Sequence, residues 1–322
     1  MSWRGIALVC GILAAPAAAP AAPCRFEEGR ALIAAGKSAE ARPILEDCAK
    51  GGSHRPEAAF ALGQICLFGR DENGAVLWFE RAASLAPENS EYQFWLGRAY
   101  GAQALRAVAL RQPALARKVR RAFERAVDLD PANLSARLAL VQYGLQAPGF
   151  MGGSVERARA QAEEIRSRDR LKGHHAFGLI AEHEKRYDMA AKEYESAMRD
   201  FPDSLEPVYW RVDLARRQKD FEVALDLLET RTVGKRIDPE ALYLFGEVAA
   251  SSGLRLDRGE ECLRRYLEHS PVGDEPSLAS AHLQLGLIYE RRKDRALARR
   301  EYTAALELDP TLTQARQALA RK

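Results

Sequence analysis

Residues 281–310 place small and large apolar side chains at helical spacing. Leu285, Gly286 and Tyr289 fall on one face of a helix, Ala298, Tyr302 and Ala305 on one face of a second, and Pro310 closes the stretch. Two such short helices cannot bury their apolar faces alone, so the pattern predicts that they pack antiparallel and stack on the next pair. Gly286 and Ala298 are small where the two backbones approach. Tyr289 and Tyr302 fill the space beside them.

The small position recurs at Gly29, Gly63, Gly97, Val141, Gly178, Val212, Gly246 and Gly286. The intervals are 34, 34, 44, 37, 34, 34 and 40, so four of the seven share one period. The first repeat adds Ala41, Leu45 and Cys48, with Ser38 expected as the N-cap of its second helix. The second carries Leu62, Ala75, Phe79, Ala82 and Pro87. In the third, Phe123, Ala126 and Pro131 arrive ten residues late, and residues 103–114 are rich in Ala, Leu and Arg. That composition predicts an extension of both helices rather than an open loop. The fourth repeat is the weakest, with a Pro/Gly-rich turn over residues 146–154 before Ala158, Ala162 and Ile165. The fifth to seventh return to register through Tyr194, Leu228 and Leu263, and residues 313–321 suit a terminal capping helix.

The order L-G-x2-Y, then A-x3-F-x2-A and a closing Pro, resembles the tetratricopeptide-repeat family, over nearly all of the chain beyond residue 21. The resemblance implies an all-α, right-handed superhelix of about eight helical hairpins plus a C-terminal cap. It also implies a concave groove lined by the first helix of each pair, and members of this family mostly hold other proteins or peptides. Family groove positions fall here on Phe60, Gln64, Phe94, Arg98, Gln142, His175, Tyr209, Asp213, Tyr243 and Glu247. Aromatic and polar residues in one column are what a peptide surface needs. The other reading is that some of them pack on the neighbouring helix. The family's carboxylate clamp, Lys and Asn at the fifth and ninth positions, is missing from every repeat. Arg98, Arg216 and Arg217 could hold an acidic segment, with Asp213 and Glu247 nearby. A solvated charged face explains them too.

The irregular segments at 103–114 and 146–154 lie in the turns of adjacent repeats. The second offers Phe150 and Met151 on a glycine-rich turn, a candidate contact edge for a partner. The alternative is that both pack on the elongated helices. No Lys-Ser/Thr pair follows the glycines, so this is not a phosphate loop.

Composition narrows the function further. With 322 residues, 29% charged, 47% hydrophobic and a formal net charge of +3, the chain reads as globular. Both signs are interspersed and no basic block stands out, so nucleic acid is not expected as a partner. No cofactor is implied. His174, His175, Glu182 and His183 suggest a metal at first sight, but His175 and His183 lie about 12 Å apart along a helix, far beyond ligand reach of one ion. There is no G-x-S-x-G elbow and no converging acid, base or nucleophile, so no enzyme is expected.

The N-terminus is distinct. Arg4 precedes an apolar run over residues 5–15, too short to span a bilayer, and Ala19-Pro20-Ala21 fits a small-x-small cleavage site. We therefore expect a signal peptide at 1–21 and a solenoid domain at 22–322, exported and periplasmic, without stable membrane insertion after cleavage. Pro23 before Cys24 and Val9 before Cys10 argue against lipidation. Export makes Cys24 and Cys48 candidates for a disulfide, since the first hairpin brings them together. The alternative is four free thiols, Cys24, Cys48, Cys66 and Cys262. The expected function is that of an exported scaffold for a protein or peptide. The alternative is an accessory or self-associating structural protein of envelope assembly.

Overall fold

The structure is a computed structural model and describes residues 24–51, 54–234, 237–271 and 275–321. The expected signal peptide and Cys10 lie outside the described residues. Helices and the turns between them account for the described chain, and no strand occurs among those residues.

The first pair is α1 (Phe26–Ala34) with α2 (Ser38–Lys50), followed by α3 (Arg55–Phe68) with α4 (Glu72–Leu85) and α5 (Ser90–Arg106) with α6 (Gln112–Leu129). Next come α7 (Leu134–Gln146) with α8 (Val155–Arg168), α9 (Arg170–His183) with α10 (Tyr187–Asp200), and α11 (Glu206–Gln218) with α12 (Phe221–Thr232). The series ends with α13 (Pro239–Ser252) and α14 (Leu256–Tyr266), α15 (Leu278–Arg291) and α16 (Arg295–Leu308), and the single α17 (Thr313–Ala320). The expected all-α solenoid of helical hairpins with a terminal cap is what the chain forms. α17 lies on α16 and buries Ala315, while Leu312, Ala318 and Leu319 cover the last apolar face.

The chain divides into two compact units within the fourth repeat, where the pattern is weakest. The first runs to Leu140 and includes Ala147–Gly153; the second holds Val141–Gln146 and everything from Ser154 onward. In each, successive helices pack against one another, and in the second α13 also touches α15, so first helices stack on first helices.

Packing follows from the recurring small position. All eight of those residues are buried. A Cβ built on Gly63 would stand 2.6 Å from the Phe79 ring, closer than real atoms come. Gly178 meets the Tyr194 ring and Gly286 the Tyr302 ring in the same way. These rings cannot swing aside. Tyr194 is buried and its hydroxyl donates to Glu182 at 2.6 Å, while the Tyr302 hydroxyl donates to Glu290 at 2.7 Å. A buried ring with its oxygen tied to a rim carboxylate satisfies both halves of a tyrosine.

Polar side chains set the helix ends. Asp71, Asn89, Ser154, Asp169, Asp220, Asp238, Ser277 and Asp294 each cap a helix by accepting from a backbone N–H of its first turn. Ser38 does not act in this way. It is the first residue of α2, whose N-cap is Lys37 with no side-chain bond, because the turn after Gly36 places the helix start one residue earlier. In the third repeat the extra residues lengthen the helices as expected: α5 has 17 residues and α6 has 18, against 14 each in α3 and α4.

Two glycines separate packing from propensity. Gly178→Ala should destabilise the chain by about 1–3 kcal/mol, since overlap with a pinned ring outweighs the gain in helix propensity. Gly101, also inside a helix, has nothing within 4 Å of an added Cβ, so Gly101→Ala should stabilise by about 0.5–1 kcal/mol. Chemical denaturation followed by circular dichroism checks both signs.

Candidate functional site

In the first unit, α3 and α5 gather aromatic side chains around Trp95. Phe60 stacks on Tyr92 with ring centroids 4.9 Å apart, and meets Phe79 at 5.6 Å and Trp95 at 5.9 Å. Trp95 also meets Phe68 at 6.0 Å, edge-on, and Phe94 at 6.1 Å. Phe60 and Phe94 are thus half-buried, each partly spent on packing, with Phe94 reaching Phe123 at 6.0 Å. Phe68 is 65% exposed at the end of α3.

Arg98 completes this cluster. Its guanidinium sits 4.2 Å over the Trp95 ring and 5.9 Å from that of Phe94, a cation–π arrangement. The rings strip water from it and hold its pKa below the usual value. No carboxylate pairs with it among the described residues, and its side chain still reaches solvent. Beside it, Ile33, Ser38, Arg42, Gln64, Ile65 and Phe68 line a cleft of about 520 Å³ between α2 and α3. Gln64 lines this largely apolar cleft together with Ser38 and Arg42. Phe68 and Trp95 escaped the reading of the sequence because the family columns skip them. Their signal was adjacency, Trp95 following Phe94 directly and Phe68 closing the helix that carries Phe60 and Gln64.

In the second unit the candidate residues other than Gln142 are engaged within the chain. His175 lies flat on Trp210, centroids 4.2 Å apart and rings 5° from parallel, and burial lowers its pKa to about 4. The Tyr209 hydroxyl donates to Asp238, and Tyr243 is buried against Tyr266. Arg216 bridges Glu247 at 2.7 Å and Asp213 at 3.6 Å, and Arg217 pairs with Glu182 at 2.5 Å. Gln142 is exposed on α7. His174 Nδ1 lies 2.7 Å from Glu193, and Glu182 holds Tyr194, so neither faces His183 as a shared ligand set would require. Among the described residues, no three His, Cys, Asp or Glu side chains gather as they would around a metal ion.

At the irregular edge, residues 149–151 form a short 3-10 turn lying against α6, and Gly152 takes a φ of +98° beside the Arg120 side chain. Met151 is half-buried there, while Phe150 is 82% exposed. The same edge is basic. Residues 103–121 carry Arg106, Arg111, Arg117, Lys118, Arg120 and Arg121 and no carboxylate, so a basic block does exist. Interspersed charge over the whole chain concealed it.

Cys24 packs on the apolar cluster that contains Cys48, and both are free thiols here. Burial, with the Cys24 thiol beside it, pushes the Cys48 thiol up to about 12. Cys66 and Cys262 are buried apart from them, in α3 and α14.

Tetratricopeptide-repeat family models match residues 26–90, 175–241 and 279–312, together just over half of the chain. The chain belongs to the tetratricopeptide-repeat family. No curated protein matches it. Among solved structures, a tetratricopeptide repeat protein from Parabacteroides merdae ATCC 43184 superposes with a TM-score of 0.52 at 11% identity, covering 91% of this chain and 95% of that one. Human IFIT1, solved as a dimer with PPP-AAAA, gives 0.50 at 19% identity over 90% of this chain and 70% of its own. Likeness at these identities speaks to the fold alone. As a tetratricopeptide-repeat protein the chain is a protein-interaction scaffold. No described helix is long and apolar enough to cross a membrane.

The buried His175 gives the fold a pH dependence. Burial disfavours the charged ring, so the unfolded chain takes up the proton first, near its ordinary 6.5. Stability should therefore fall as pH drops below about 6.5 and level off near 4. His175→Phe keeps the stack on Trp210 but removes the titration. Its stability should be less sensitive between pH 7 and 4 by about 3 kcal/mol, measured as urea midpoints across that range.

Proposed function

We propose that this protein is an exported scaffold that holds a segment of another protein along the α3–α5 face of its first unit. One observation carries the reading. Arg98 lies exposed over Trp95 with no carboxylate partner, beside an apolar cleft that Phe68 leaves open. An unpaired guanidinium on an aromatic platform suits a partner carboxylate, and the cleft suits an apolar side chain next to it. The matching columns of the second unit offer less, because their charges already neutralise one another. That members of this family hold protein partners supports the same reading.

A photo-crosslinking residue at position 68, in cells making the protein at its natural level, tests this. A defined protein partner should be captured there, and Arg98→Ala should weaken capture by about tenfold while leaving the helical melt unchanged. Capture that ignores Arg98, or that arises only from positions in the second unit, would sink the proposal.

Export is part of the proposal and has its own readout. The chain isolated from cells should begin at Ala22, with Cys24 and Cys48 joined. Closing that loop should stabilise the first hairpin by about 3 kcal/mol. Intact-mass measurement before and after a reductant, with the matching thermal melts, gives both answers.

A further inference from the structure

The apex of the α5–α6 hairpin exposes apolar side chains that no packing requirement explains. Leu105 is 87% exposed, Val108 68% and Leu110 91%. Phe150, from the turn lying against α6, adds a fourth exposed apolar group beside that helix. An exposed leucine alone needs no explanation, but three in six residues at the head of one hairpin do.

Their position relative to the preceding hairpin is clear. Gln103 Nε2 donates to Asn73 Oδ1 at 2.8 Å and Arg106 pairs with Glu72 at 3.0 Å, so the last turn of α5 meets the first turn of α4. Residues 107–111 follow directly on that turn and lead into α6. The result is an exposed apolar tip at the end of the hairpin, next to the start of α4.

Charge defines what the tip suits. Of the six cations over residues 103–121, Arg106 pairs with Glu72, Lys118 lies 3.7 Å from Glu80, and Arg120 pairs with Glu124 at 3.0 Å. Arg111, Arg117 and Arg121 are exposed and have no carboxylate partner among the described residues. Arg125, further along, pairs with Glu88 at 3.5 Å, and Asp128 is the next acid on the helix. One unpaired cation, Arg111, thus lies in the apex itself, and Arg117 and Arg121 follow about 8 and 14 Å along α6.

We propose that this apex docks on an anionic phospholipid surface. Leu105, Val108 and Leu110 would enter the interface, and Arg111, Arg117 and Arg121 would lie among the headgroup phosphates. Aliphatic groups on an exposed tip, rimmed by long cations whose stems are themselves apolar, match a membrane boundary. A single-strand nucleic-acid surface would instead offer a series of aromatic rings on which successive bases could stack; residues 103–121 carry none, and Phe150 beside them is a single ring. This surface is separate from the α3–α5 face and does not depend on the partner proposed for it.

Vesicle co-sedimentation of the processed chain, as isolated from cells, tests the inference. The chain should pellet with vesicles of phosphatidylglycerol and phosphatidylcholine in equal parts, should release with added salt, and should stay in solution with phosphatidylcholine alone. Each of Arg111→Gln, Arg117→Gln and Arg121→Gln should weaken binding about fivefold. Leu105→Ser, Val108→Ser and Leu110→Ser together should abolish it. All six side chains are exposed, so an unchanged circular-dichroism melt will show that loss of binding is not loss of fold. Failure to bind anionic vesicles, or undiminished binding by the triple serine variant, overturns the inference. So does binding of a single-stranded oligonucleotide through the same arginines while vesicles go unbound.

Discussion

A small residue on one helix set against a pinned ring or branched chain on the next is the contact on which this architecture depends. Gly63 on Phe79, Gly97 on Phe123, Gly178 on Tyr194 and Gly286 on Tyr302 repeat it, and Gly246 makes the same fit with Leu263. The approach is too close for a Cβ, so each hairpin has one depth of closure and hence one face left for its neighbour. Where Val141 and Val212 replace glycine, the side chain is still fully buried. The constraint is therefore on space and not on glycine's backbone freedom, since all these positions are helical.

Because the core uses up one face of every helix, everything that could act on another molecule is what remains. In the second unit that remainder is largely spent. Arg216, Asp213 and Glu247 neutralise one another, Arg217 supports Glu182, and His175 has become a packed ring. Such networks contribute modestly to stability at a surface and leave little directional charge for a partner. In the first unit Phe68 stays exposed and Trp95 is only partly buried, with Arg98 lying over its ring.

The third repeat shows what an insertion does to a solenoid. Ten residues added to a hairpin turn could have formed a loop, but Ala, Leu and Arg favour helix, and α5 and α6 extend together. Lengthening two antiparallel helices leaves the core positions in place, because the added turns fall at the end of the hairpin, where Gln103 and Arg106 meet Asn73 and Glu72. Leu105 and Leu110, at that end, remain exposed. The glycine-rich turn carrying Phe150 rests on α6 further along, with Gly152 beside Arg120.

The sequence by itself determined the repeats, their pairing and their core. Each is a periodic property, and a helix of known pitch converts spacing directly into a buried face. Ala41, Phe79, Tyr194 and Tyr302 were legible as core for that reason, and all are buried. Only the tertiary structure decided which groove side chains are free. Arg98 and Arg216 read alike in the chain, as cations in the same family column region. One rests on Trp95 without a counter-ion, and the other is held by Glu247 from the next repeat, 31 residues away. Spacing fixes which way a side chain points, but its partner depends on how closely the next hairpin comes. That distance is set by packing between repeats, and no single repeat contains it.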